Sequence, residues 1–416
     1  MEEWKEYKLK DVATLTTGFP FDGHKYGKEG IRVVRGDNVT IGNLRWDSDK
    51  DKRWAEPFDR STEYTLHAED IVIGMDGSRV GKNRAQVKKE DLPLLIAQRV
   101  ACVRHNELSL QKYLYYQIFS DSFEQYIKAV QTGTSIPHVS LKQIGDFPIV
   151  LPPISIQKKI AEILSSLDKK IELNKRINDN LEQQAQALFK SWFVDFEPFK
   201  DGEFVESELG MIPKGWRVGM LGEYCKVRSG YAFKSTWWTN EGFSVIKIKN
   251  ITENGILEMS DCSFVSEEHA ELAKGFQTTE GDLLIAMTGA TIGKFCVVPD
   301  NGSYCVNQRV GKFFLGNKPM TKLPFIYLNF KQPNVHDELI NRGQGSAQPN
   351  ISVDDIETLK IILAPDIVIS NFNVMLYPLF KKILSNQQES RRLAQLRDTL
   401  LPRLMSGEQN VNEITA

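Results

Sequence analysis

The chain has little cysteine: five residues in 416 (Cys102, Cys225, Cys262, Cys296 and Cys305), an odd number without a Cys-x-x-Cys pair. Neither a disulfide framework nor a zinc knuckle fits that pattern, and reduced, packed thiols are expected. Its six histidines (His24, His67, His105, His138, His269 and His336) are scattered, with no His-Glu-x-x-His spacing, so no metal site is expected. Positive charge is not in excess. With 52 Lys and Arg against 54 Asp and Glu, the net charge of -2 removes any argument from global basicity to nucleic acid, leaving local patches or a more basic partner. No stretch approaches the roughly 18 unbroken apolar residues of a membrane span. The start, MEEWKEYKLK, has no apolar core for export, so a cytoplasmic protein with no membrane partner is expected.

Catalytic signatures are also missing. GSRVGKN and GATIGKF have three residues between their glycines and no hydroxyl after the lysine, which a phosphate loop requires. There is no Gly-x-Ser-x-Gly elbow, and the one Pro-Pro, in LPPI, fits neither flank of the tetrapeptide with which adenine methyltransferases grip a base. Asp195, Glu197, Asp201 and Glu203 read as an acidic linker. The chain reads as a recogniser, with no catalytic residue, no metal and no cofactor of its own.

What is present is a repeat. Sliding the chain against itself gives a match at an offset of 212 residues, and DIVIGMDGSRVGK (70–82) and DLLIAMTGATIGK (282–294) agree at six of thirteen positions. The same offset pairs Trp4 with Trp216, Gly18 with Gly230, Asn38 with Asn250, Gly133 with Gly345, Pro137 with Pro349, Leu151 with Leu363 and Pro153 with Pro365. QRVA at 98 and QRVG at 308 slip by two. So long a period implies a duplicated domain, each copy able to close its own core. Each copy begins with about 150 residues of short strands broken by Gly, Asn and Asp turns, plus a helical stretch such as QKYLYYQIFSDSFEQYI.

Each copy then ends in a long amphipathic helix. In the first, Ile160, Ile163, Leu167, Ile171, Leu181, Ala185 and Leu188 recur at spacings near 3 and 4; in the second, Phe372, Met375, Leu379, Ile383, Leu393 and Leu400 do so. Asn174 and Asn386, 212 residues apart, lie in the two stripes. Each helix is expected to be roughly 38 residues, about 57 Å. The predicted arrangement is an antiparallel coiled coil with the Asn residues fixing register, the alternative being that each helix packs on its own module. The expected fold is therefore α+β and internally duplicated, with two globular α/β domains separated by two long antiparallel helices about an approximate two-fold axis.

The segment LPPISIQKKIAEILSSLDKKIELNKRINDNLEQQAQALFKSWFVDF resembles the DNA specificity subunits of type I restriction-modification systems. Pro152, Pro153, Gln157, Ile160 and Ala161 supply that family's Pro-Pro-x-x-x-Gln-x-x-Ile-Ala lead-in to its central helix. SELGMIPKGW (207–216) resembles its approach to a second target recognition domain, and GTSIPHVS (133–140) and GSAQPNIS (345–352) resemble its motif before each helix. The second helix start, LAPDIVISNFNVML, departs from the pattern: it lacks the second proline and the glutamine. The resemblance implies target recognition domains at 1–152 and 215–364, spacer helices at 153–194 and 365–405, a linker at 195–214 and a flexible tail at 406–416. It further implies a non-catalytic subunit whose two domains each read half of a split double-stranded DNA target, with half-sites near one helical turn (~34 Å) apart. The implied partners are two methyltransferase subunits and restriction or motor subunits, which carry S-adenosylmethionine, ATP and Mg2+. A pseudo-dimeric coiled-coil scaffold and a free-standing DNA-binding regulator are the alternatives.

Where the copies agree, scaffold is expected, and where loop tips differ, reading. Gly77, Gly81, Gly289, Gly293, Arg99 and Arg309 are expected to be structural. Differences fall at Ser78 and Arg79, His24 to Tyr26 (against Thr236 to Trp238), Asn83 and Arg84, and Thr291, so an asymmetric site is predicted. Arg79, Asn83, Arg84, Gln344, Gln348 and Asn350 have the paired donors and acceptors that match purine edges. Lys82 with Arg79, Arg84, Lys88 and Lys89 would suit phosphates, or form a solvated strand edge. Lys25, Tyr26, Ser78, His138, Lys247, Thr291 and Lys294 complete the candidate DNA contacts with Trp237, although Trp237 and Trp238 read first as half-buried packing. The aromatic cluster Trp192, Phe193, Phe196 and Phe199 would dock a methyltransferase subunit or pack on the first domain.

Overall fold

A computed structural model describes residues 4–58, 61–133, 136–300, 302–343 and 349–411. The chain divides into two compact units, residues 1–169 with 393–416, and residues 170–392.

In the first unit a five-stranded sheet runs Ala13–Thr17, Val100–His105, Ile71–Gly74, Arg84–Gln86, Ile41–Gly42. Ile71–Gly74 is buried at all four positions, as an apolar strand covered on both faces must be. Ile71 and Ile73 pack with Tyr113, Leu114, Phe123 and Ile127 of the helices Gln111–Ile118 and Asp121–Val130. Val72, on the opposite face, packs with Val34, Ala85, Leu94 and Ile96. A four-stranded sheet (Arg53–Trp54, Ile31–Val34, Leu94–Ile96, Thr65–Leu66) lies alongside, and Lys5–Lys8 pairs antiparallel with Pro148–Leu151.

The second unit repeats this plan at the 212-residue offset. Strands Phe243–Ile246, Leu283–Ala286 and Lys360–Leu363 and helices Leu221–Tyr224 and Val353–Glu357 start and stop 212 residues after their counterparts. Gly18 and Gly230 show why some repeat identities persist. A Cβ would come within 2.0 Å of the Ile96 carbonyl oxygen at the first and 2.2 Å of the Val306 oxygen at the second, so only glycine lets the strands approach.

The long helices are Ile154–Phe193, 40 residues, and Asp366–Ser406, 41 residues. Within the second unit they run antiparallel. Asn174 Nδ2 donates to Glu389 Oε2 (2.8 Å) and Ser390 Oγ (3.3 Å), while four residues on, Asn178 Nδ2 donates to the Ile383 carbonyl (3.2 Å) and Asn178 Oδ1 accepts from Asn386 Nδ2 (2.8 Å). Both expected modes of helix packing occur together. Ile160 and Leu164 share the first module's core with Leu404 and Met405, and Ala185, Phe189 and Phe193 share the second's with Phe372, Leu376 and Phe380.

Several expectations need correction. Met375 is exposed: the buried stripe is Phe372, Leu376, Phe380 and Leu384, a spacing of four that turns position 375 towards solvent. Trp192, Phe193, Phe196 and Phe199 pack in the second unit, where Phe193 meets Phe325, Phe372 and Trp216 and Phe196 meets Phe204 and Trp216. Part of the expected linker is a hairpin, Phe204–Ser207 with Gly210–Pro213. The expected tail is ordered as far as Val411, because Gly407 (φ +76°) turns the chain beside Trp4 and Val411 is buried; residues 412–416 lie outside the described range. The helix Asp366–Ser406 is long and apolar enough in composition to cross a membrane, although no unbroken apolar run flags it. Ile369, Phe372, Leu376, Phe380 and Leu384 of this helix are buried in the second unit's core, while Ile367, Val374, Met375 and Tyr377 are exposed.

Candidate nucleic-acid interface

In the first copy four loops converge beyond the ends of Ile71–Gly74. The Met75 amide donates to the Arg99 carbonyl (3.1 Å), Gly77 to Pro137 (3.1 Å) and Val139 to Met75 (2.8 Å), while Asp76 bridges His138. Gly36 lies against Asp76, where an added Cβ would sit 3.2 Å from Oδ1. The second copy reproduces the set: Met287 donates to Arg309 (3.0 Å), Gly289 to Pro349 (3.2 Å) and Ile351 to Met287 (2.8 Å), and Thr288 bridges Asn350. Gly77, Gly81, Gly289 and Gly293 all have positive φ (99°, 85°, 74° and 77°), the left-handed backbone these turns need.

Below each cluster, a buried asparagine organises the neighbouring loop. Asn38 Oδ1 accepts from the Arg35 amide (3.0 Å) and its Nδ2 donates to the carbonyls of Arg45 (3.1 Å) and Lys50 (3.0 Å). Asn250 does the same for the Lys247 amide (2.9 Å), Glu258 (2.8 Å) and Asp261 (3.2 Å). A cation over an aromatic ring follows in both: Arg35 lies 5.7 Å from the centre of Tyr26, and at the matching positions the Lys247 ammonium lies 3.5 Å above Trp238. Burial, with Lys249 close by, lowers the Lys247 pKa. Lys247 and Tyr26 are candidate contacts from the sequence, and the repeat offset pairs them with Arg35 and Trp238.

Ser78, Arg79, Lys82, Asn83 and His138 come together on the first cluster. Ser78 and Arg79 are exposed, and the Arg79 guanidinium has no partner among the described residues. Lys82 pairs with Glu124 (3.5 Å), and the Asn83 carbonyl accepts the Gly74 amide (2.9 Å). His138 Nδ1 is buried without a hydrogen-bond partner. Lys25 pairs with Glu56 (3.0 Å), and Tyr26 is half-buried against Trp54 and Phe21.

Arg84 is a correction. It is buried at 7% exposure, its guanidinium lying over Phe119 and Phe123 and 3.8 Å from Glu124, and burial lowers its pKa. It faces inwards because it is the sheet partner of Ile73, on the face that the helices Gln111–Ile118 and Asp121–Val130 cover. On the second cluster, Thr291 lies one turn from the Thr288–Asn350 bridge and Asn350 is exposed. Lys294 pairs with Glu253 (2.9 Å). Trp237 stacks on His269 at 4.1 Å with the planes 11° apart. Gln344 and Gln348 lie outside the described residues.

Along the helices, Ile160, Asn174, Phe372 and Asn386 are buried, and Ile163, Leu167, Ile171, Leu181, Leu379, Ile383 and Leu393 are half-buried. In the first unit Asp168 binds Arg397 (2.7 Å) and the Tyr116 hydroxyl (2.6 Å), holding the helices to each other and to the module. Among the described residues, no group of three or more His, Cys, Asp or Glu side chains is placed to hold a metal ion.

The family model described as type I restriction modification DNA specificity domain matches residues 1–183 and 213–368. The chain is 32% identical over 311 residues to the type I restriction enzyme MjaIX specificity subunit of Methanocaldococcus jannaschii, covering 73% of this chain and 70% of that one. It is 24% identical to the HindI specificity subunit of Haemophilus influenzae, covering 98% of this chain and 100% of the relative. The crystal structure of the type I restriction-modification S subunit from M. genitalium superposes with a TM-score of 0.57 at 17% identity, over 97% of this chain and 96% of the other, which is a likeness of fold.

Proposed function

The chain belongs to the family of type I restriction-modification DNA specificity subunits, and from that premise we propose that its two loop clusters are the reading surfaces, each for one half of an asymmetric, bipartite DNA target. Specificity subunits are DNA sequence-recognition components without catalysis of their own. In this chain residues 1–152 and 215–364 act as the recognition domains. The helices 153–194 and 365–405 set the number of unread base pairs and dock two methyltransferase subunits, which supply S-adenosylmethionine chemistry on adenine. Restriction or motor subunits supply the ATP- and Mg2+-dependent steps, and the assembly works in the cytoplasm.

One observation carries the reading. The clusters share their backbone hydrogen bonds one for one, yet present different side chains at the tips, Ser78 and Arg79 against Ala290 and Thr291. One frame holding two sets of donors and acceptors is what recognition of two different half-sites requires. Asn83, His138, Thr291 and Asn350 flank those tips, while Lys82, Lys294, Lys25 and Lys247 supply charge for phosphates.

The test is co-expression with the methyltransferase subunits and mapping of N6-methyladenine in host DNA. A split, asymmetric motif should gain methylation only when this chain is present. Replacing Ser78-Arg79 by Ala-Thr should alter one half of the motif and leave the other intact. If both halves change together, or neither changes, the tips are not the readers.

A further inference from the structure

One exposed pair of residues stays the same in both copies while the tips around it change. Gln98-Arg99 and Gln308-Arg309 occupy the same turn: the Gln98 amide donates to Phe19 (3.1 Å) and Gln308 to Tyr231 (3.0 Å), and each arginine carbonyl accepts the amide of Met75 or Met287. The turn uses only backbone atoms, which most residues would provide. All four side chains are exposed, so core packing does not explain their retention.

Ion pairing does not explain it either. Arg99 is 58% exposed and reaches Asp76 only at 3.8 Å. At the position of Asp76 the second copy has Thr288, and the Arg309 guanidinium has no ion pair or hydrogen bond among the described residues. The arginine is the same in both copies, with or without an acidic neighbour. A solvent-facing guanidinium kept on two surfaces that otherwise diverge fits a ligand common to both half-sites, and the common feature of two different DNA sequences is the phosphate backbone.

We propose that Arg99 and Arg309 are matched phosphate contacts, a sequence-independent anchor built into each recognition domain, with Gln98 and Gln308 as hydrogen-bond donors to the same strand. This rests on the recognition reading above and assigns to its surface the part that does not read sequence.

The test uses the complete chain assembled with its methyltransferase subunits, a duplex carrying the mapped target and a scrambled duplex. Arg99→Gln and Arg309→Gln should each weaken both duplexes by the same factor. Each should reduce the slope of log affinity against log salt by about 1, with the methylated motif unchanged. Arg99→Lys and Arg309→Lys should recover the slope. A changed half-motif would mark the arginine as a base reader, and unchanged affinity and slope would mean that it touches no DNA; either overturns the proposal. So would equal losses in the Gln and Lys variants with a lowered unfolding midpoint, the mark of a folding role. If the unaltered complex fails to distinguish the duplexes, it is the recognition reading that falls, and the salt slope on any duplex still tests the arginines.

Discussion

Position 84 in the first copy is a buried arginine, the sheet partner of Ile73, stacked on Phe119 and Phe123; in the second copy its place beside Ile285 is taken by Phe295, half-buried against Tyr327 and Phe330. At 99 and 309 the copies share an arginine, and there the side chain is exposed. Difference between the copies is therefore not by itself a mark of the reading surface, nor agreement a mark of the core. What separates the two cases is the strand: position 84 opens one whose inner face the core must fill, with either a stacked cation or a phenyl ring. Positions 99 and 309 lie in turns held by main-chain bonds, which leave the side chain free.

The largest effect is expected where the copies do the same packing with different residues. Phe372 and Ile160 are equivalent, 0% and 1% exposed, and each sits between a module and the other long helix. Phe372→Ala should destabilise the second unit by about 3–5 kcal/mol and Ile160→Ala the first by about 2–5 kcal/mol. Hydrogen exchange resolved by peptide would show each loss in its own unit. Loss of protection in both units from either change would mean that the copies do not hold separate cores.

Arg84→Ala should cost about 1–3 kcal/mol, through lost stacking and an acidic neighbour, Glu124, left with fewer cations. The methylated motif should not change. A relaxed half-motif in a stably folded variant would return Arg84 to the reading surface.

The helix pair supplies a smaller effect. Asn174 and Asn386 are both buried, and the Oδ1 of each lacks a hydrogen-bond partner. Asn174→Leu with Asn386→Leu should leave stability within about 1 kcal/mol of the parent while loosening helix register, since a buried amide with an unmet acceptor specifies alignment more than it stabilises. Disulfide trapping between cysteines introduced at 178 and 383 would report register. A fall of several kcal/mol would show that these amides are stabilising after all.

Much of this frame was legible in the sequence because repeats and periodicity are local signals. The offset located the matching strands, the glycines at 77, 81, 289 and 293, and both helices to within a few residues. Side-chain direction was not legible. Met375 belongs to the same periodic stripe as Phe372, and only the position of the module decides that Leu376 is buried in its place. Arg84 reads as a groove contact in a run of cations, and only Phe119, at the end of one helix, and Phe123, in the next, turn it into a core residue. Arg35 over Tyr26 and Lys247 over Trp238 join residues nine apart through a turn that the sequence does not specify.

The smallest expected effect is one of acid stability, and it tests whether the copies differ at the foot of the module as they do at the tip. Asp146 Oδ1 accepts from Lys8 (3.0 Å) and Lys10 (2.9 Å), and these hydrogen bonds, Lys10 first, hold the carboxyl down to about 2. The second copy has Thr358 there, its hydroxyl donating to the Asp354 carbonyl (2.6 Å) and accepting from Arg342 (2.8 Å). A carboxyl whose folded pKa lies below its unfolded value of about 3.9 contributes stability that is complete above that value and is lost as pH falls through the folded one. The first copy should therefore lose protection around residues 5–12 and 141–151 between pH ~4 and pH ~2 through Asp146. Acid loss at 217–224 and 353–363 in the second copy rests instead on Glu223, held below the usual carboxylate range by the Met220 amide and Arg217, and on Asp355, held down by Ser352. Asp146→Asn should remove that step from the first copy. Because both lysines are about half exposed, the change should be small and should shrink with added salt. A step of the same size in the variant would place the acid sensitivity elsewhere in the module.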